Sequence, residues 1–296
     1  MRVATRQFYK SNIRAMENSY SNISDLQQKI SSGKNITNTK DDINISNKVL
    51  NLRNKQTLIN NYKNNIEYAD ANLKLSDTVL KEINNLMQDV RNLTLEVGNA
   101  IVNEDNCKTI GAQIGEITAQ IVNLVNSKNG QGNYLFSGNN NQKPYIKDQN
   151  NNYVYQGNNI NNKIKISDNL YINANQNAAN IFEQTSCIQN LQKLQTAITN
   201  GNKDYALHEG LINLDNALVN LNSERSKIGV NLNTLEKSLI ENEDYNLYLQ
   251  SNISKLENTD ILKSLSELEL NKTLFEATQM SFIKLSNLSL HNKIAI

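Results

Sequence analysis

Residues 9–33 read YKSNIRAMENSYSNISDLQQKISSG, and their spacing decides the architecture. Tyr9, Ile13, Met16, Tyr20, Ile23, Gln27 and Ile30 alternate steps of four and three, with Gln27 the one polar member. That heptad draws one apolar seam along a helix and asks for a partner helix. The seam stops at Ser31-Ser32-Gly33, where glycine can take the left-handed conformation that ends a helix. Residues 33–42 read as a polar loop, and Asp41 and Asp42 suit the N-cap or first turn of the next helix.

Outward from that stretch the same period continues. Leu52, Ile59, Ile66, Leu73 and Leu80 recur every seven residues, and Leu86, Val90, Leu93 and Val97 carry the pattern on. An unbroken helix over 43–97 would span about 80 Å at 1.5 Å per residue. Residues 98–105 look like a turn, and 109–127 like the returning helix, with Ile110, Ile114, Ile117, Ile121 and Leu124 on its apolar face. The texture changes from Gly130 to Phe182. Glycines, the one proline (Pro144) and asparagine clusters bound short alternating runs at 153–155, 164–166 and 170–172, which is the strand signature.

Helical spacing resumes at Cys187, Ile188, Leu191, Leu194 and Ile198, breaks at Asn200-Gly201 and then runs to the C-terminus. Ile228, Leu232, Leu235 and Leu239 form a heptad that Asn242 and Asn246 interrupt. Near the end, Ile261, Leu268, Phe275 and Phe282 repeat every seven residues, flanked by Leu270, Leu274, Ala277 and Leu285. The expected fold is mainly α with an inserted small β region. Both chain ends form long antiparallel, coiled-coil helical arms. The expected segments are 1–42 and 255–296 as terminal assembly helices, 43–129 and 183–254 as arms, and 130–182 as a β-rich outer domain.

Composition narrows the function. The 296 residues carry 30 Lys+Arg against 29 Asp+Glu, a formal charge of +1, which offers no basic face for nucleic acid. The longest apolar run is three residues, far short of the roughly 20 of a membrane span or the roughly 7–15 of a secretory core, so neither membrane insertion nor a cleaved signal peptide is expected. Asparagine occurs 55 times, a bias that matches an AT-rich genome and weakens asparagine as a loop signal.

Reactive groups are sparse. His208 and His291 are the two histidines, too few for a histidine-rich metal site, and His208-Glu209 lacks a second histidine four residues after the first. Cys107 and Cys187 cannot make a disulfide framework; they read as packed small residues or, less often, a redox pair. Glu241/Glu243 and Glu267/Glu269 fall in helical stretches whose solvated faces carry charge. No catalytic residue, metal site or cofactor site is expected, and the chain does not read as an enzyme.

Four segments, in order, carry a resemblance. They are Met1-Arg2-Val3-Ala4-Thr5; the loop Ser31-Ser32-Gly33-Lys34 with Ile36, Asp41 and Asp42; the run Gly132-Asn133-Tyr134-Leu135-Phe136-Ser137-Gly138; and Ser286-Asn287-Leu288-Ser289-Leu290. Together they resemble the flagellin superfamily, and within it the family of the third hook-associated proteins (FlgL) of the hook–filament junction. The family usually has proline after the paired acids, where this chain has Ile43. It also has a glycine before the closing phenylalanine, where Ala178-Ala179 precede Phe182.

The resemblance implies a structural component of the bacterial flagellum, extracellular and exported unfolded through the flagellar type III apparatus without a cleaved signal. It would fold as an adaptor layer between hook side and filament. Implied partners are copies of itself in one annular layer, the other hook-associated junction protein (FlgK type), flagellin, and an export chaperone (FlgN type) near the C-terminus. Tyr9, Ile13, Met16, Tyr20, Ile23 and Ile30 are the expected N-terminal assembly seam; Leu274, Phe275, Ala277, Phe282 and Leu285 are its C-terminal counterpart. Alternatives are a filament-forming flagellin and a secreted flagellin-like scaffold bearing a binding domain.

Overall fold

The computed structural model describes residues 2–35, 42–98 and 103–294. The chain divides into two compact units, Met1–Leu58 with Tyr245–Ile296, and Ile59–Asp244. The element order is α1 (Arg2–Ser32), α2 (Ile43–Val97), α3 (Glu104–Val125), β1 (Tyr145–Lys147), β2 (Tyr153–Tyr155), β3 (Lys163–Lys165) and β4 (Tyr171–Asn173). After these come α4 (Cys187–Thr199), the single turn α5 (Lys203–Tyr205), α6 (Leu211–Glu257) and α7 (Ile261–Ile294). This is the mainly helical fold with a small β insertion expected from the sequence.

The central unit owns the core. One contiguous buried cluster runs in sequence from Ile66 to Leu235 and takes in the heptad members Ile66, Leu73, Leu80, Val90 and Ile228. Within this unit α2 and α6 run antiparallel, pinned by Lys63–Glu243 at 2.9 Å, Arg225–Asp77 at 2.9 Å and Arg91–Asp215 at 2.8 Å. Those pairs are largely solvated and screened, so they set register more than stability. Asn242, which interrupts the heptad, is buried and its Nδ2 donates to the Ile166 carbonyl at 3.3 Å.

Helix boundaries follow capping chemistry. Asn103 accepts the Asn106 N–H at 2.9 Å, so α3 starts five residues before the first expected helical position, Thr109. Asp260 likewise accepts the Lys263 N–H at 3.1 Å and opens α7. The apolar period runs through that break without marking it. The β region is two separate two-stranded antiparallel hairpins, β1–β2 and β3–β4. Strand β1, immediately after Pro144, is not among the expected runs; β3 and β4 sit one residue away from theirs.

α3 and α4 pack antiparallel, with Gly111 against Thr199 and Gly115 against Gln195, whose side chains lie where a Cβ would stand. That register puts Cys107 and Cys187 about 16 residues of helix apart, about 24 Å. Both thiols are buried and free, so the redox pairing is overturned by distance.

A buried polar cluster closes the core beneath the first hairpin. The Tyr145 hydroxyl donates to Glu183 at 2.6 Å. Burial, then this carboxylate, pushes the Tyr145 phenol above its ordinary 10.0. Burial pushes Tyr155 up to about 12, partly offset by the Ala179 backbone. Burial, then Glu183, pushes Cys187 up to about 12. All three groups are neutral when protonated and hold their protons more tightly folded than unfolded. Their contribution is therefore complete below about pH 9 and is lost as pH rises towards 12. Denaturation midpoints of the chain are expected to fall steadily between about pH 9 and about pH 12, with a shallower fall in Tyr145→Phe. A pH-independent midpoint over that window would contradict the cluster. At about pH 8, Tyr145→Phe itself is expected to cost about 1.5–3 kcal/mol, the worth of a hydrogen bond to a charged group.

Candidate assembly surfaces

In the first unit α1 and α7 lie antiparallel. Tyr9 meets Phe282 edge-on with ring centroids 5.4 Å apart, and Tyr20 meets Phe275 at 6.4 Å. The covered face of α1 consists of Tyr9, Asn12, Met16, Ser19, Ile23, Leu26 and Ile30. It meets the face of α7 that bears Ser264, Leu268, Asn271, Phe275, Thr278 and Phe282. Among these, Ile23, Ser264 and Leu268 are buried and the rest are half-covered. More than a third of the seam is polar, so it excludes little apolar surface from water and gains correspondingly little.

Several expected interface residues lie off that seam. Tyr9, Met16, Ile23, Ile30, Phe275 and Phe282 are on the covered faces. Ile13, 47% exposed, and Tyr20, 66% exposed, stand at its edge. Leu274, 53% exposed, and Ala277 point away from the covered face of α7, and the side chain of Leu285 lies outside the described residues. Leu262, Leu270, Met280 and Ile283 are further exposed apolar residues of α7, beyond those expected at the interface.

The loop motif is a backbone clasp. Ser31 and Ser32 bond back to the Gln28 and Lys29 carbonyls, and the Ser32 Oγ accepts the Lys34 N–H at 3.2 Å. Gly33 takes φ +69°, which turns its carbonyl to accept the Thr259 N–H at 3.0 Å. Lys34 bridges Asn258, and the Asn35 N–H donates to the Glu257 carbonyl at 2.7 Å. Arg53 then grips the Glu257 carboxylate with two bonds of 2.6 and 2.9 Å. Asp42 caps α2 through the Ile45 N–H at 3.0 Å. Asp41 and Ile36 lie outside the described residues.

In the central unit the entry motif is a second clasp. Leu135 and Phe136 are buried, the Leu135 N–H donates to the Ser127 carbonyl, and the Phe136 carbonyl accepts from Ala178. Tyr134 bridges Lys128 and stacks under its ammonium at 4.6 Å. Gly132 and Gly138 have φ of +83° and +75°. At Gly138 a Cβ would strike the side-chain and backbone oxygens of Asn158.

No group of three or more His, Cys, Asp or Glu residues is placed to hold a metal ion among the described residues, and no helix among them is long and apolar enough to cross a membrane. His208 is solvated, 3.5 Å from Asp204. Glu243 and Glu269 pair with Lys63 and Lys272 on helix surfaces.

Residues 3–141 match the family profile of the bacterial flagellin N-terminal helical region. A structure assigned as a flagellar hook-associated protein of Vibrio parahaemolyticus superposes with TM-score 0.68 at 19% identity, over 74% of this chain and 100% of that one. Hook-associated protein 3 of Legionella pneumophila gives 0.61 at 16% identity, over 70% and 98%. FlgL of Bacillus cereus gives 0.53 at 22% identity, over 64% and 98%. No curated protein matches in sequence. The fold is that of the FlgL-type hook-associated structures, and the N-terminal part of the chain is similar to the bacterial flagellin N-terminal helical region.

The clasp has a direct test. Nothing lies within 4 Å of a Cβ at Gly33, so Gly33→Ala costs only the left-handed backbone, about 1–2 kcal/mol. Hydrogen exchange at the Asn35 and Thr259 amides is then expected to quicken by roughly 5–30-fold. Unchanged protection would show that the loop does not hold the α6–α7 turn.

Proposed function

We propose that this chain is a structural subunit of the bacterial flagellum, forming an adaptor layer at the hook–filament junction. One observation carries the reading. The apolar core cluster is confined to the central unit, whereas α1 and α7 share a partly polar seam and leave Leu262, Leu270, Leu274, Met280 and Ile283 in water. A helix that exposes so much apolar surface has its remaining partner on another molecule. The family profile and the FlgL-type fold support the flagellar setting.

In this reading the segments 1–42 and 255–296 are the assembly ends. Tyr9, Met16, Ile23, Ile30, Phe275 and Phe282 close the intramolecular seam. Ile13, Tyr20, Leu274, Ala277 and Leu285 meet neighbouring copies, a FlgK-type protein on the hook side and flagellin on the distal side. Residues 130–182 face outward. Export passes through the flagellar type III apparatus with a FlgN-type chaperone on the C-terminal segment. A seam with few buried apolar residues recovers little of the ordering entropy of some 60 residues, so the ends stay export-competent until neighbours complete them.

Ile13→Asp and Leu274→Asp are the cleanest probes, because both side chains are already in water in the free subunit. Each variant is expected to keep the stability of the parent within about 0.5 kcal/mol and to fail to incorporate at hook tips. Phe282→Asp should fail in the same way, through loss of the intramolecular seam. Normal incorporation of all three would end the assembly reading. Growth of long filaments from the purified chain alone would replace the junction role with that of a filament subunit.

A further inference from the structure

Beside the β1–β2 hairpin, α4 and the turn at Asn200–Tyr205 enclose a groove of about 930 Å³. That size falls in the range of small-molecule sites, about 300–1,000 Å³. Every described residue lining it belongs to the central unit, and none belongs to the seam above. We propose that it is a binding site for neutral oligosaccharides, a role separate from assembly.

The lining chemistry selects the ligand class. Tyr153 and Tyr205 present aromatic surface with polar edges, the combination that packs on the C–H face of a sugar ring while meeting its hydroxyls, and Tyr155, whose hydroxyl is held by the Phe136 and Asn158 carbonyls, adds ring surface alone. Asn152 and Asn200 add amides, which pair a donor with an acceptor on one planar group and so match vicinal hydroxyls. The hydroxyls of Tyr153 and Tyr205 and the amides of Asn152 and Asn200 make no side-chain hydrogen bond among the described residues. The Gln189 Nε2 reaches Glu183 at 3.3 Å, while its buried Oε1 has no partner.

Other ligand classes fit worse. The carboxylates in the lining are engaged: Asp148 accepts the Asn150 and Asn152 N–H groups at 2.8 Å, and Glu183 holds Tyr145 and Gln189. Lys193 is the one cation of the lining among the described residues, too little for a phosphorylated ligand or nucleic acid. A peptide strand cannot extend the hairpin on this side, because the Tyr153 N–H already donates to the Gln192 Oε1 at 3.2 Å.

The test uses the full-length chain with maltotriose, cellotriose and chitotriose, read by saturation-transfer NMR and calorimetric titration. At least one trisaccharide is expected to bind with a dissociation constant of about 0.1–1 mM. Tyr205→Ala should weaken that binding on the order of tenfold. Asn152→Ala, at an exposed loop position, should weaken it without altering the thermal midpoint. Tyr248→Ala, on α6 in the other unit, should leave it unchanged. Absence of saturation transfer from all three sugars at about 10 mM overturns the proposal, as does binding that neither groove variant affects. Incorporation at hook tips is expected to be normal in Tyr205→Ala, so failure of this site and failure of the junction reading are separately visible.

Discussion

The partly polar seam between α1 and α7 is the constraint on which the rest of the molecule turns. Asn12, Ser19, Asn271 and Thr278 occupy places where a stable coiled coil would put leucine or isoleucine. Each such place forgoes the roughly 1.5–3 kcal/mol that a fully buried aliphatic side chain contributes. The terminal helices are consequently held by a few aromatic and aliphatic contacts and by the backbone clasp at Gly33 and Thr259. A tighter seam would give a more stable free subunit with less to gain from its neighbours.

The central unit obeys the opposite rule. Its core needs nothing from outside, because α2, α3, α4 and α6 bury their stripes against one another and the hairpins are tied to the same cluster by Leu135, Phe136, Tyr145 and Ile166. The Tyr145–Glu183 pair places a charge-assisted bond where the hairpin meets α4, and a buried polar pair of this kind fixes register when fully partnered. One chain thus combines a self-sufficient unit with one whose apolar surface is incompletely covered. In the proposed junction layer, that division would let the middle fold before the ends do.

Much of this is legible in the sequence, for identifiable reasons. Long periodic stripes without proline specify helices whatever their surroundings, so α1, α2 and α4 read correctly. The register of the seam does not. Steps of three and four lie on neighbouring lines of a helix, and choosing apolar residues leads to Ile13 and Tyr20, whereas the observed seam runs through Asn12 and Ser19. Periodicity reports where apolar residues are, and not which of them the free subunit covers. The α6–α7 break escapes a sequence reading because Asn258-Thr259-Asp260 contains neither glycine nor proline, although Asp260 is a good N-cap. The groove is invisible there because Tyr153 and Tyr205 lie 52 residues apart and meet only through the α4 turn.

Asparagine in this sequence reads as compositional bias, yet around the hairpins its amides carry structure. Asn129 accepts the N–H groups of Gln131 and Asn133 and donates to Asn72. Asn158 accepts from Asn139, Asn175 both accepts from Asn162 and donates to the Gly138 carbonyl, and Asn126 both donates to and accepts from the Tyr145 backbone. These are side-chain substitutes for the ladder bonds that three-residue strands cannot supply. A genome bias towards asparagine therefore need not erode such a domain, because it supplies the groups that close turns locally. Short strands then suffice, and the amides left over are free to face a ligand.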